Sequence, residues 1–232
     1  MKKLVGVTLC ILCMLVSGGC GQMITSPLNG ENLDGWQVKG DAGQSKWVVG
    51  KPEISPDDPT LLISQPGGHA MINLAAHHGD SLDIFSEAKY GDSHIELEVM
   101  VPQGSNSGIY VMGEYEIQVL DSFGKDKMGN GDMGAVYGAS PPPVNACTAP
   151  GTWQQYVIDY KAPRFDDNGN KTANAVLVLV QLNGKTLHQD LELAGPTPGG
   201  VTGKEAAEGP IMFQGNHGPV AYRHIKIRPL KE

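Results

Sequence analysis

The sequence predicts an all-β protein, and three observations support this fold class. Apolar and polar residues alternate with a period of two, most clearly in "SHIELEVMV" (93–101), where Ile95, Leu97 and Val99 share one face of a strand. The 232 residues include 31 glycines and 16 prolines, which suit many tight turns between short strands. Helical periodicity is almost absent, although residues 81–91 could hold one short helical turn.

Strand-like runs follow one another between Gly, Pro and Asn residues, as is typical of a sandwich, barrel or jelly roll. Asn183-Gly184 separates two runs by two residues that readily take positive φ, which predicts a tight hairpin. "FDDNGNK" (165–171) predicts a second, longer turn. Without a repeat or interdomain linker, residues 28–232 are expected to form one domain. The predicted strands cover 46–49, 60–64, 93–101, 108–111, 115–120, 153–160, 175–182, 185–193, 210–214 and 220–227.

Two long irregular segments interrupt these strands, at 122–151 and 194–209. Long loops without secondary structure inside a compact domain usually cover or build a binding site. We therefore expect both segments to be functional loops, the alternative for the first being a disposable insertion.

The first 20 residues predict an export signal. Lys2 and Lys3 precede an apolar run at 4–16 that is short for a membrane span, and small residues then lead to Cys20. This pattern resembles a bacterial lipoprotein signal, with lipidation of Cys20, a tether at 21–27 and anchoring in the cell envelope. An ordinary secretory peptide is the alternative, and export follows from either.

The charge and the cysteine content argue against nucleic-acid binding, an internal disulfide and a cysteine nucleophile. The formal net charge is −8, and no basic stripe is present to bind a nucleic-acid backbone. Of the four cysteines, only Cys147 lies outside the signal, so no internal disulfide can form. With no His nearby in the sequence, Cys147 is interpreted as structural and not as a nucleophile.

The run "GEYEIQVLD" (113–121) places polar residues on one face of a predicted strand. Period two sends Glu114, Glu116 and Gln118 to one side and apolar residues to the core. Carboxylates two residues apart on a strand are separated by roughly 6.5 to 7 Å at Cα, a spacing that suits acid and base chemistry at a sugar bond. A solvated face of an antiparallel sheet would show the same pattern.

The C-terminal run "GPIMFQGNHGPVAYRHIKIRP" (209–229) contains a second polar group. Gln214, Asn216 and His217 cluster at a Gly-bounded turn, with Arg223 a few residues later. A loop histidine near carboxylates could act as a base, a metal ligand or a substrate donor. No histidines show the spacing of a metal-binding motif.

Five segments together resemble, in order, the 3-keto-disaccharide hydrolase family of exported bacterial proteins. The resemblance implies a concanavalin-like β-sandwich, a jelly roll of two curved antiparallel sheets. It also implies cleavage of glycosides whose sugar carries a ketone at C3, by removal of the C2 proton, elimination and hydration, with a divalent metal polarising the enolate in some members. The segments are "NGENLDGW", "NSGIYVMGEYEIQVLDS", "GTWQQYVIDYKAPRF", "VLVQLNGKTLHQDLELAGPT" and "GPIMFQGNHGPVAYRHIKIRP".

The resemblance also carries over residue by residue. Its strongest motif matches Tyr110, Glu116, Gln118 and Asp121, and its C-terminal motif matches Gln214, His217, Gly218 and Arg223. Many members have Arg where this chain has Met112. The loss of that cation removes a candidate oxyanion stabiliser or carboxylate partner.

We therefore expect an exported enzyme acting on 3-keto glycosides, with carbohydrate as its partner and a divalent metal as the only cofactor to consider. Glu116 is the expected general base or acid and His217 the complementary group. Two alternatives remain: a non-catalytic carbohydrate-binding jelly roll, and a glycosidase of unmodified sugars using Glu114 and Glu116. The expected substrate-binding residues are Asn106, Tyr110, Glu114, Gln118, Asp121, Gln214 and Arg223.

Overall fold

Two antiparallel sheets packed face to face form the fold in the computed structural model, which describes residues 24–231. The smaller sheet has the strand order β1-β4-β13-β6-β7, and the larger has β12-β11-β8-β5-β14-β3-β2. A ribbon of β9 and β10 stands apart. The strands are β1 (Trp36–Val38), β2 (Trp47–Ile54), β3 (Leu62–Asn73), β4 (Ile84–Ser86), β5 (Ser93–Met100), β6 (Asn106–Val111), β7 (Tyr115–Leu120), β8 (Gln154–Lys161), β9 (Arg164–Phe165), β10 (Lys171–Ala173), β11 (Ala175–Leu182), β12 (Lys185–Leu193), β13 (Met212–Phe213) and β14 (Val220–Pro229).

This architecture confirms the predicted concanavalin-like sandwich. The Asn183-Gly184 hairpin joins β11 to β12 with φ of 52° and 75°, as predicted. The prediction of a helical turn within 81–91 is wrong, because that segment contains β4. Residues 24–231 contain one short 3-10 helix instead, at Ala42–Gln44. No helix among residues 24–231 is long and apolar enough to cross a membrane.

The core lies between the two sheets and is rich in aromatic side chains. Phe213 of the smaller sheet stacks on Tyr222 of the larger one, with ring centroids 3.9 Å apart, and also on Trp36 at 5.5 Å. These rings bury large apolar areas and fix the spacing of the two layers.

Both long loops lie along the free edge of β7. In the first loop, the Tyr137 amide donates a hydrogen bond to the Glu116 carbonyl at 3.1 Å. The backbone of Gln118 also bonds to this loop, donating to the Ala135 carbonyl and accepting from the Gly134 amide. The second loop reaches the same edge, because Thr197 Oγ1 accepts from the Glu116 amide at 2.8 Å. An exposed strand edge is thereby covered, and both loops come to lie beside the outer face of β7.

The N-terminal expectations fall largely outside the described residues. The signal at 1–20 and the lipidation of Cys20 lie there, as do residues 21–23 of the expected tether. Thr25, inside the tether stretch, pairs with Ile227 of β14, so the chain is already attached to the larger sheet at that residue. Cys147 lies in the first loop as a half-buried free thiol, and burial raises its pKa.

Candidate active site

The polar face of β7 is buried. Glu116 and Gln118 point away from the core, as the alternation predicted, yet they are only 2% and 3% exposed. The two long loops cover them, which rules out the alternative of a solvated sheet face. Burial of an ionisable group without full pairing is costly and is typical of functional sites.

A cavity of about 190 Å³ opens over this face. Strands β6 and β7 form its floor, the turn after β13 forms one wall, and the two long loops form the others. Its lining residues are Asn106, Tyr110, Glu116, Gln118, Tyr137, Pro198, Gly199, Gln214 and His217.

Gly108 makes room for the Glu116 carboxyl group. It lies on β6, opposite Gln118 and diagonally across from Glu116. A Cβ atom at position 108 would stand 2.3 Å from Glu116 Oε1, much closer than any real contact. Only glycine therefore permits the observed position of the carboxyl group.

Tyr110 connects the floor of the cavity to the second loop. Its hydroxyl donates to the Pro198 carbonyl at 3.0 Å and accepts from Gln214 Nε2 at 3.4 Å. Gly199 follows in the left-handed region (φ 89°), where a Cβ atom would come within 2.7 Å of the Tyr110 hydroxyl. The loop can thus approach the tyrosine closely only through this glycine.

The environment of Glu116 raises its pKa to about 7. Burial is the main cause, because the charged form loses hydration, and the negative charge of Asp83 acts in the same direction. The nearby Tyr110 hydroxyl lowers the pKa, by less than burial raises it. The carboxyl group can therefore give or take a proton near neutral pH.

The turn that carries His217 is held from beneath by two buried side chains. The Asp83 carboxylate accepts from the amides of Gly215 at 3.0 Å and Asn216 at 3.4 Å. Asn73 Nδ2 donates to the carbonyls of Gly215 at 2.7 Å and Gly218 at 2.8 Å. These bonds fix the backbone from which the His217 ring projects into the cavity.

The surroundings of His217 favour a neutral imidazole whose Nε2 can accept a hydrogen bond or a proton. Its Nδ1 is hydrogen-bonded to Asn216 Oδ1; because that oxygen can only accept, Nδ1 carries the proton. Burial lowers the pKa of His217, the neighbouring His78 lowers it further, and Asp83 opposes them. The rings of His78 and His217 meet edge to face at 4.5 Å. No hydrogen bond among residues 24–231 uses Nε2 of His217, so this nitrogen can accept a proton.

The amide side chains of the cavity offer hydrogen bonds to a ligand. Gln214 is 8% exposed, and its buried Oε1 has no hydrogen-bond partner among residues 24–231. Gln118 Nε2 donates to Asn106 Oδ1 at 2.6 Å, which orients the Asn106 amide group. Buried polar atoms are normally paired, so the Gln214 acceptor indicates a position for a donor from a ligand or a water.

Three predicted site residues lie elsewhere. The Glu114 carboxylate accepts from Thr202 and from the Gly203 amide, at 2.7 to 2.9 Å, and so anchors the second loop. Asp121 accepts from the Gly104 amide at 2.9 Å in a turn. Arg223 lies on the larger sheet.

Met112 does not contribute to the cavity either. It lies in the turn between β6 and β7 with φ of 55°, followed by Gly113 with φ of 70°. Its side chain packs in the core, where Sδ accepts from the Tyr160 hydroxyl at 3.4 Å. The methionine therefore neither contacts nor replaces a partner of Glu116 in this arrangement.

Several functional residues could not be identified from the sequence. Tyr137, Pro198 and Gly199 belong to the two loops that were predicted to be functional, but no local pattern distinguishes them within those loops. Asp83 and His78 act on the site through the His217 turn, across more than 130 residues of chain. That coupling has no signal in a single sequence.

The cavity does not provide the ligands of a tightly held divalent cation. Residues 24–231 contain no group of three or more His, Cys, Asp or Glu side chains arranged around a common point. One carboxylate and one imidazole fall short of the ligand sets that calcium, magnesium or zinc require. The residues at hand therefore do not fit the metal expected for some members.

Comparison with known proteins agrees with the fold and with the carbohydrate chemistry. The family model described as "3-keto-alpha-glucoside-1,2-lyase-like domain" matches residues 24–228. A solved structure of a candidate glycosyl hydrolase from Parabacteroides distasonis is 28% identical, with a TM-score of 0.67, and the match covers 89% of this chain and 84% of that one. A second candidate glycosyl hydrolase from the same organism is 16% identical, with a TM-score of 0.59 and coverages of 90% and 94%. No curated protein matches this chain.

Proposed function

The chain belongs to the family of 3-keto-alpha-glucoside-1,2-lyase-like domains, and from this premise we propose that this carbohydrate-active protein is an enzyme that cleaves glycosidic bonds of 3-keto sugars. The observation that carries the proposal is the meeting of Glu116 and His217 in one small cavity, with the pKa of Glu116 raised and that of His217 lowered. Paired groups whose environments shift their pKa values in opposite directions mark acid and base roles.

The ketone at C3 makes the C2 proton acidic, so cleavage begins with its removal. The electrons of the C2–H bond form an enolate whose negative charge rests on the C3 oxygen. When the C3 carbonyl re-forms, the electron pair shared by C2 and C3 in the enolate moves to form the C1–C2 double bond. The bond from C1 to the leaving oxygen then breaks, and that oxygen takes up a proton. Addition of water across the double bond then yields the 3-keto sugar, and the net reaction is hydrolysis.

His217 is the proposed base and Glu116 the proposed acid. Since the pKa of His217 is lowered and that of Glu116 is raised to about 7, the pair with a neutral imidazole and a protonated carboxyl group is well populated just below neutral pH. The Asn216 contact leaves Nε2 of His217 free to accept the C2 proton. Glu116 then supplies a proton to the leaving oxygen.

Hydrogen-bonding side chains of the cavity are suited to the remaining tasks. The Asn106 side chain accepts a hydrogen bond from Gln118 through Oδ1. No hydrogen bond among residues 24–231 uses its amino group. We assign this donor to the C3 oxygen, where charge develops as the enolate forms. Gln214 Oε1 is assigned to a sugar hydroxyl.

The cavity size supports recognition of a single ring. A volume of about 190 Å³ is smaller than the roughly 300 Å³ at which pockets for drug-sized ligands begin. The 3-keto ring would occupy the cavity, and the leaving sugar would lie at its mouth beside Tyr137, which is 41% exposed.

The glycosidase alternative with Glu114 and Glu116 as its carboxylate pair loses its geometric basis. Both oxygens of Glu114 accept hydrogen bonds from the second loop, and Glu114 does not line the cavity. An acid or nucleophile must reach the scissile bond.

Product analysis in D2O tests the proposed reaction. The enzyme is incubated with 4-nitrophenyl 3-keto-glucoside and, separately, with 4-nitrophenyl glucoside, alongside enzyme-free controls. We expect cleavage of the keto substrate alone, with deuterium at C2 of the sugar product from the first turnovers. Cleavage of the unmodified glucoside at a similar rate, or product without deuterium at C2, would contradict the proposal. Binding without cleavage would establish a non-catalytic carbohydrate-binding protein.

We also propose that the protein is exported and anchored in the bacterial cell envelope through a lipid on Cys20. The support is the sequence pattern of residues 1–20. Growth with radiolabelled palmitate should label the native protein and leave Cys20→Ser unlabelled. Equal labelling of both would contradict the assignment.

A further inference from the structure

A second cavity, of about 260 Å³, lies on the outer face of the larger sheet. Tyr222 of β14 points into the core, so the adjacent Arg223 points to the opposite face. The cavity is thus separated from Glu116 by the whole sandwich, and the two share no lining residue.

The charge of this cavity contrasts with that of the protein. Every lining residue that can carry a charge is basic, whereas the formal net charge of the chain is −8. Glu53 pairs with Lys51 and Glu98 pairs with Arg223 from outside the lining, so anion binding here depends on the basic donors that remain unbonded and not on the net charge of the cavity. The lining residues are Gly50, Lys51, Pro52, Gly68, His69, Ala70, Trp153, Arg223 and His224.

The Arg223 guanidinium group is fixed on two sides. Its Nε donates to Glu98 Oε2 at 2.6 Å, and its carbon atom lies 4.0 Å from the centre of a Trp153 ring. No other hydrogen bond of this side chain is found within residues 24–231, so both terminal amino groups remain available. A guanidinium group held in this way can bind a carboxylate or phosphate through two parallel hydrogen bonds at low entropic cost.

The backbone beside Arg223 is irregular in a way that shapes the cavity. The register of β14 against β5 shifts between Arg223 and Lys226, and His224 has φ of 52°. Such bulges redirect side chains, and left-handed backbone at a residue other than glycine is costly and concentrates at functional positions. On the other wall, His69 Nδ1 contacts the Gly30 carbonyl at 2.9 Å, and no hydrogen bond in the described part of the chain uses its Nε2.

We propose that this cavity binds a small saccharide bearing a carboxylate or phosphate group, with Arg223 holding the oxyanion. The unbonded terminal amino groups of Arg223 supply the attraction, and the oxyanion fills only part of the 260 Å³. The remaining space, bordered by Pro52, Ala70 and Trp153, accommodates a sugar ring. The site is independent of the reaction proposed for Glu116.

Calorimetric titration of the native protein at low ionic strength provides the test, with glucuronate, glucose 6-phosphate, glucose and inorganic phosphate as separate probes. We expect glucuronate or glucose 6-phosphate to bind more tightly than inorganic phosphate, and glucose not to bind. The acid that binds better identifies the oxyanion. Failure of both sugar anions to bind would overturn the proposal, and so would equal binding of inorganic phosphate.

Three variants locate the binding. Arg223→Gln should weaken it at least tenfold, and Arg223→Lys should lose most of the affinity because an ammonium group lacks the two-pronged geometry. Arg228→Gln removes a charge from the same strand without lining the cavity and should bind like the native protein. Melting temperatures verify folding. Native-like binding by both Arg223 variants, or equal weakening by Arg228→Gln, would contradict the assignment. Glu116→Gln should retain the binding.

Discussion

Tyr110 and Glu116 are directly opposite each other in the pairing of β6 with β7, and both side chains face the same cavity. The tyrosine hydroxyl lowers the pKa of the carboxyl group, while burial raises it more strongly. The acidity of Glu116 is therefore set by the register of one hairpin together with the loops that cover it.

Replacing Tyr110 with phenylalanine should raise the pKa of Glu116 above its native value of about 7. If Glu116 acts as the acid, the loss of activity at high pH should move to higher pH in this variant. The measurement is the pH dependence of kcat/KM on a 3-keto glucoside. Tyr137→Phe, at the mouth of the same cavity, is the matched control and should keep the native profile; an unshifted profile in Tyr110→Phe would count against the contact.

The native enzyme should show a bell-shaped pH profile. Activity should fall above about pH 7 as Glu116 loses its proton, and fall on the acidic side as His217 gains one. Glu116→Gln should reduce kcat by about 10²- to 10⁴-fold, the usual contribution of a general acid. Glu192→Gln, on an exposed strand position, serves as the control. A rate that continues to rise above pH 7 would instead make Glu116 the base.

Stability should respond to pH through the same carboxyl group. In the unfolded chain Glu116 ionises near its ordinary value of 4.5, whereas in the folded state it ionises near 7. Its contribution is therefore most favourable below pH 4.5 and is lost as the pH rises through 7. The loss amounts to roughly 3 kcal/mol of unfolding free energy.

Glu116→Gln removes this ionisation, so its unfolding free energy relative to the native protein should increase between pH 5 and pH 8. Urea denaturation at both pH values measures the difference. A constant difference would show that the carboxyl group keeps an ordinary pKa in the folded protein.

Gly108→Ala should abolish activity without unfolding the protein. The added Cβ atom would meet Glu116 Oε1 at 2.3 Å, and the flexible carboxyl group would have to leave its position. Gly195→Ala adds the same methyl group where no atom lies within 4 Å, and should be fully active. Both variants are compared by circular dichroism and by kcat. Normal turnover in Gly108→Ala would mean that the observed carboxyl position is dispensable.

The strand pattern predicted the floor of the cavity correctly because alternation along β7 is local. It failed at Glu114, which precedes the strand and follows Gly113 in its positive-φ turn, where period two no longer applies. Arg223, which the C-terminal motif assigned to the site, lies in a different cavity. The chain changes sheets between β13 and β14, so residues close in sequence lie on opposite sides of the sandwich.

Burial of Glu116 was not predictable either. The residues that cover it come from two loops, and the hydrogen bond from the Glu116 amide to Thr197 alone spans 81 positions in the chain. No local pattern in β7 records those contacts. The family resemblance identified the pair Glu116 and His217, and the fold accounts for why they meet.

The backbone of Glu116 binds both loops, because its carbonyl accepts from the Tyr137 amide and its own amide donates to Thr197. A change in the length of either loop is therefore transmitted directly to the position and hydration of the ionisable side chain on that same residue. Relatives that diverge only in these loops should differ in optimum pH as well as in substrate preference, although their sheets superimpose. In this fold, evolution can adjust acid strength without replacing the acid.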